Sequence, residues 1–223
     1  MDFTAAASRC EIIKRLKPNQ NLLAVSKLQS EEKIKCLHDQ GQIHFAENYV
    51  QEALQKIENL KHLHLQWHLI GPLQKNKVKF LKTNFSYIHS VDSFELAELI
   101  SKKAIEINHQ QKVFIQINLS AEPTKSGFSK EDLAAHWSQI KELSGIKVVG
   151  LMTMPPLENA AEKNRVYFAE LVKLGQKFGV KEFSMGTSQD FEVALQEGST
   201  WVRVGTLLFG AREINSNNES RSQ

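Results

Sequence analysis

Three groups of residues in this chain could do chemistry. Lys27 closes an apolar run, Leu22-Leu23-Ala24-Val25. A lysine at the margin of an apolar core loses hydration, which favours the neutral amine, and a neutral amine condenses with carbonyl carbons. The same position also describes an exposed lysine just past a strand. The second group is a pair of small-residue segments, Ser184-Met185-Gly186-Thr187-Ser188 and Gly205-Thr206. Glycine lets backbone approach a ligand closely, and backbone amides point at anions. Such segments also serve as ordinary turns. The third is Arg203, within Trp201-Val202-Arg203-Val204-Gly205. Strand alternation puts Arg203 with Trp201 and Gly205, opposite the two valines. If the valines pack on helices, Arg203 points inward, where an arginine needs a partner. It serves there either as half of a structural ion pair or as a ligand-facing cation.

His62, His64 and His68 have even spacing, which suggests a shared strand face and a metal. No cysteine or acid stands at ligand spacing beside them, and His62 and His64 fall before the strand, so they do not read as a metal centre.

Placing these groups together requires a scaffold. Short runs rich in β-branched and aromatic residues predict strands at Leu22–Lys27, Ile43–Glu47, Leu65–Gly71, Tyr87–Val91, Val113–Leu119, Lys147–Met152, Glu182–Met185 and Trp201–Val204. Helical periodicity lies between them: Val50, Leu54, Ile57 and Leu60; Leu96, Ile100, Ala104 and Ile107; Phe168, Leu171, Val172, Gly175 and Phe178. Asp92 with Glu95, and Ser129 with Asp132, read as helix starts; Gly41, Gly145 and Gly179 read as helix ends. Cys36 falls in an amphipathic stretch and reads as core. A further helix, about Ala5–Leu16, precedes the first strand.

Repeated strand–helix units imply a parallel sheet. Eight of them predict a single (β/α)8 TIM barrel with an extra N-terminal helix. An open doubly wound sheet is the alternative, weakened because no Gly-x-Gly-x-x-Gly follows the first strand. In such a barrel the active face lies at the C-terminal strand ends, with a phosphate site after strands seven and eight. Lys27, Asn48, Ser184, Ser188, Gly205 and Thr206 all fall at those ends.

Composition narrows the classes. The 223 residues carry 28 basic and 25 acidic side chains, a net charge of +3, which gives no electrostatic case for nucleic acid. No apolar run approaches the ~20 residues of a membrane helix, and no secretory leader pattern opens the chain. Cys10 and Cys36 read as two reduced thiols, so the expected compartment is the cytoplasm. Residues 1–212 read as one domain, and 213–223 as a polar, disordered tail.

Together these residues resemble the YggS/PROSC family of pyridoxal 5′-phosphate (PLP) homeostasis proteins, an alanine racemase N-terminal-like barrel family. The resemblance rests on Leu22-Leu23-Ala24-Val25-Ser26-Lys27, Phe45-Ala46-Glu47-Asn48-Tyr49-Val50-Gln51-Glu52 and Trp67-His68-Leu69-Ile70-Gly71-Pro72-Leu73-Gln74-Lys75-Asn76-Lys77. It continues through His89-Ser90-Val91-Asp92, Gln116-Ile117-Asn118, Lys125-Ser126-Gly127, Gly150-Leu151-Met152, the Ser184–Ser188 segment and Gly198–Gly205. These stretches run in order along nearly the whole chain. Ala46 stands where the family usually has glycine, and Thr187 where it often has methionine.

The resemblance implies that Lys27 holds PLP as a Schiff base and that Ser184, Ser188, Gly205 and Thr206 hold its phosphate. It implies that Arg203 faces the pyridine nitrogen, with Asn48 and His68 near the ring. An arginine there disfavours ring protonation and so weakens the ring as an electron sink. The expected function is PLP binding and homeostasis without turnover, as a monomer, with amino acids or apo PLP enzymes as further partners. A PLP-dependent amino-acid racemase is the alternative. Alanine racemases add a second domain and a partner tyrosine, for which the residues after strand eight leave no room. A barrel enzyme acting on a phosphorylated metabolite without PLP is a third class.

Overall fold

The computed structural model describes residues 3–120, 122, 125–156 and 159–210, with side chains from residue 8 onward. Eight parallel strands close into a barrel in chain order. They are β1 Asn21–Val25, β2 His44–Glu47, β3 Gln66–Leu69, β4 Tyr87–Val91, β5 Gln111–Ile117, β6 Ile146–Thr153, β7 Glu182–Thr187 and β8 Trp201–Val204. Closure excludes the open sheet: β1 pairs with β8 from Asn21↔Trp201 to Ala24↔Val204.

Helix α1, Phe3–Arg15, precedes the barrel. The crossovers carry α2 Glu31–His38, α3 Val50–Asn59, α4 Phe94–Glu106, α5 Lys130–Glu142, α6 Arg165–Phe178 and α7 Phe191–Gln196, and α8 Thr206–Phe209 follows β8. The β3–β4 crossover departs from this pattern. It holds a 3-10 segment, Lys75–Phe80, in which Val78 alone is buried, so no apolar stripe exists to dock a longer helix.

Side-chain alternation sorts the strands into two cores. Outward residues such as Leu22, Ala24, Phe45, Leu69, Ile88, Leu151 and Val202 pack against Ile34, Leu37, Ala53, Ile100, Leu133 and Phe168. Inward residues Leu23, Ala46, Phe114, Met152 and Trp201 fill the barrel itself. The methyl of Ala46, where the family usually has glycine, belongs to that inner packing.

Some local expectations needed correction. Ser129 does cap α5, accepting from Asp132 N–H at 2.9 Å. Asp92 does not cap α4; the cap position is Ser93, whose hydroxyl bonds Asp92 instead. Gly179 ends α6 in the left-handed region, whereas Gly145 lies against the Ser101 backbone, where a Cβ would stand 2.1 Å from Ser101 O. Ile107 follows α4 and is exposed, and Cys36 is half-buried rather than core. The polar tail lies outside the described residues. Among those residues no helix is long and apolar enough to cross a membrane.

Candidate functional site

Lys27 stands two residues beyond β1 and is half-buried. Leu23 and Val25 of β1 turn into the barrel, and Lys27 follows at the same spacing in the turn after the strand. Its neighbours on both sides are gripped by a buried ion cluster. Lys56 of α3, 6% exposed, donates to Ser26 O at 2.7 Å, Glu47 Oε1 at 2.8 Å and Glu52 Oε1 at 2.7 Å. Ser26 Oγ donates to Glu47 Oε1 at 2.6 Å, and Leu28 N–H donates to Glu52 Oε1 at 2.6 Å. Leu28 sits in the left-handed region at φ 58°, strained for a side chain with a Cβ. Glu52 thus holds a strained turn directly beside Lys27. Burial pushes Glu47 up to about 7, against the pull of Lys56.

The loops after β7 and β8 meet the end of β1. Gly205 N–H donates to Ser188 Oγ at 3.2 Å. Gly205 also backs onto β1, where a Cβ would stand 3.4 Å from Val25 O. Gly186, at φ 89°, lets β7 turn toward α7; a Cβ there would meet that of Ala194 at 2.5 Å. Asp190 then fastens the turn, accepting from Thr187 N–H at 2.6 Å and Thr187 Oγ1 at 3.0 Å. Thr187 therefore contributes a hydroxyl that methionine would lack. Thr206 is exposed at the start of α8. Lys27, Ser188, Gly205 and Thr206 thus gather at the C-terminal rim of three adjacent strands.

Arg203 points inward and is 4% exposed. It donates from Nη1 to Ser184 O at 2.6 Å and Ser184 Oγ at 2.8 Å, and from Nη2 to Thr153 O at 3.0 Å. Among the described residues no carboxylate lies within ion-pair distance of it. Of the two readings of Arg203, the structural ion pair is therefore absent there. Burial lowers its pKa to about 10, so it stays charged near neutrality.

Asn48 follows β2 on the inward register, and its Oδ1 is buried without a hydrogen-bond partner among the described residues. Gly71 makes room for it, because a Cβ there would stand 2.3 Å from Asn48 O. Two expected residues lie deeper than the rim. Ser184 is 0% exposed and its hydroxyl is engaged by Arg203 and His89, away from the loop that carries Ser188. His68 is also 0% exposed, stacked on Tyr87 at 4.7 Å with both ring nitrogens engaged. His62 and His64 precede β3, in and after a 3-10 turn.

Sequence reasoning missed Lys56, Glu52 and His89. The Glu52–Lys56 spacing of four reads as a surface helix pair, and only packing of α3 on the barrel buries it. The rim thus combines an amine, a backbone cradle suited to an anion and an orphan amide oxygen, above an inward cation with no counter-ion among the described residues.

The alanine racemase N-terminal domain model matches residues 1–213. Curated relatives named pyridoxal phosphate homeostasis protein include that of Aquifex aeolicus, 43% identical over 210 residues with 92% of each chain covered. The Pseudomonas aeruginosa protein is 40% identical over 194 residues, covering 86% of this chain and 84% of its own. This chain belongs to the pyridoxal phosphate homeostasis protein family. A solved structure of the same kind is PipY of Synechococcus elongatus with PLP bound, at 37% identity and a TM-score of 0.88, covering 92% of this chain and all of PipY. An alanine racemase from Clostridium difficile shares the barrel fold at a TM-score of 0.76 and 17% identity, with 56% of its length covered. The homeostasis family thus shares a barrel with the racemases, while the Aquifex, Pseudomonas and Synechococcus proteins match this chain over most of their length.

Proposed function

We propose that this chain holds PLP as a Schiff base on Lys27 and acts in intracellular PLP homeostasis, without catalytic turnover. The observation that carries the reading is the inward, buried Arg203 with no carboxylate beside it among the described residues, below a rim that carries Lys27. When bound, PLP supplies a reactive aldehyde and an electron-withdrawing ring. Lys27 supplies the amine for that aldehyde, on a turn made rigid by Lys56 and Glu52. Ser188, Gly205 and Thr206 hold the phosphate, and the Gly205 backbone can approach it closely. Arg203 would face the pyridine nitrogen and disfavour its protonation, because a donor carrying a positive charge disfavours a second one. An arginine in that place would weaken the ring as an electron sink, which suits storage more than turnover. Ser184 serves Arg203 in this reading, not the phosphate. Asn48 supplies an orphan acceptor at the rim, and His68 acts from one layer below.

The name shared by the curated relatives favours homeostasis over a dedicated racemase. In this reading residues 1–212 form the cofactor-binding unit of a cytoplasmic monomer, whose further partners are amino acids or apo PLP enzymes. Cys10 and Cys36, which form no disulfide, are compatible with that compartment.

The test is the near-visible spectrum of purified protein with PLP, before and after borohydride, beside Lys27→Ala. A yellow band that borohydride fixes on Lys27, missing from the variant, is the expected result. Absence of the band in the wild type with excess PLP would overturn the reading.

A further inference from the structure

A row of hydrogen-bonded side chains crosses the barrel below Arg203. Ser184 Oγ, which receives Arg203 Nη1 at 2.8 Å, lies 2.8 Å from His89 Nδ1. His89 Nε2 lies 2.9 Å from His68 Nδ1, and His68 Nε2 lies 3.1 Å from His44 Nδ1. Ser184, His89 and His68 are each 0% exposed, whereas His44, the first residue of β2, is part-exposed at the opposite end of the barrel. Ring stacking fixes the orientations: His89 on Phe114 at 4.3 Å and His68 on Tyr87 at 4.7 Å.

Counting protons decides the direction of this row. Arginine only donates, so Ser184 Oγ is an acceptor toward Arg203. Its one proton then has a single well-placed acceptor, His89 Nδ1. A neutral His89 that accepts at Nδ1 carries its proton on Nε2 and donates to His68 Nδ1. By the same rule His68 donates from Nε2 to His44 Nδ1, and His44 keeps its proton on Nε2. The reverse order would aim two donors at Ser184 Oγ and leave its proton unpaired in a buried site. It would also turn the row's donor end toward a cation.

We propose that Ser184, His89 and His68 are positioning residues that hold Arg203 as a fixed donor toward the ring nitrogen of the cofactor, through a one-way hydrogen-bond row ending at His44. The proposal rests on the PLP reading above for its target, but the row and its direction belong to the protein alone. Removing the proton acceptor of Ser184 leaves its hydroxyl free to rotate and loosens Arg203.

Two measurements test this. The first is histidine 15N–1H correlation of the protein without PLP. The expected pattern is a neutral Nε2–H tautomer for both His68 and His89; Nδ1–H tautomers or cationic rings would overturn the row. The second compares binding of PLP with binding of its carbocyclic analogue, in which C–H replaces the ring nitrogen. Ser184→Ala and His89→Phe should each weaken PLP by about tenfold and leave the analogue unchanged, as expected for a hydrogen bond to a charged group. Ser184→Thr, which keeps the hydroxyl, should restore PLP binding. Equal losses for both ligands would reduce these residues to packing and overturn the positioning role. If the wild type binds neither ligand, the cofactor reading fails with the positioning role, while the tautomers still decide the row.

Discussion

Single residues set the character of the rim. Lys56 is the clearest case, because one ammonium donates to two carboxylates and to the Ser26 carbonyl, while Glu52 holds Leu28 N–H on the other side of Lys27. Lys56→Met would leave Glu47 buried without its cation, and breaking such a pair costs about 3–5 kcal/mol. Urea unfolding should report that loss, with slower imine formation by whatever folded fraction remains. Leu28 offers the opposite test. It is 54% exposed, so its side chain packs little, yet it occupies the left-handed region. Leu28→Gly should raise stability by up to about 1 kcal/mol, since glycine adopts this conformation without strain. A fall in the unfolding midpoint would mean that Leu28 makes contacts its exposure does not suggest.

At the scale of elements, caps and close approaches decide how well the strands deliver these residues. Ser129 caps α5 in both directions, accepting from Asp132 N–H and donating to Asp132 Oδ2 at 2.7 Å. Ser129→Ala should cost about 1 kcal/mol, measured by chemical denaturation, with PLP binding untouched, because α5 supplies nothing to the rim. Gly71→Ala should behave differently. Its Cβ would press on the backbone of Asn48 at 2.3 Å, so the β2 and β3 ends must separate. A loss of about 1–3 kcal/mol is expected, as for other overpacked sites, together with weaker PLP binding through the displaced Asn48. Undiminished binding would remove Asn48 from the rim's working set.

The whole molecule responds to pH through its buried groups. Burial, helped by neighbouring cations, holds His68 and His89 well below the usual histidine range. A folded-state pKa below the unfolded value means that stability is present above about pH 6.5 and is lost as pH falls, by about 1.4 kcal/mol per unit for each histidine. Glu47 acts oppositely. Its pKa is raised to about 7. Its contribution is full below its unfolded value and is lost as pH rises through 7. His44 is lowered by burial too, so the histidines outweigh one carboxyl and stability should fall as pH drops from 6.5 to 5. Urea midpoints across that range check this; a flat profile would mean that the buried histidines titrate normally.

Much of this protein is legible without coordinates. All eight strands are legible, because short apolar runs rich in β-branched and aromatic residues, bounded by turn residues, mark parallel strands buried on both faces. Arg203 reads as inward by alternation once its flanking valines are set against the helices, and Lys27, Ser188, Gly205 and Thr206 read as rim residues by strand polarity. What the sequence by itself determined is therefore the order of elements, the face of Arg203 on the last strand and the end at which the chemistry gathers. Tertiary structure decided which polar residues meet. Lys56 reads as a solvated helix lysine until α3 docks and buries it against Glu47. Ser184 reads as part of a phosphate loop until barrel closure sets it between Arg203 and His89. The reason is that local pattern places each residue in an element, whereas partners come from strands far apart in the chain, 95 residues for Ser184 and His89, and only the register and closure of the barrel bring them within a hydrogen bond.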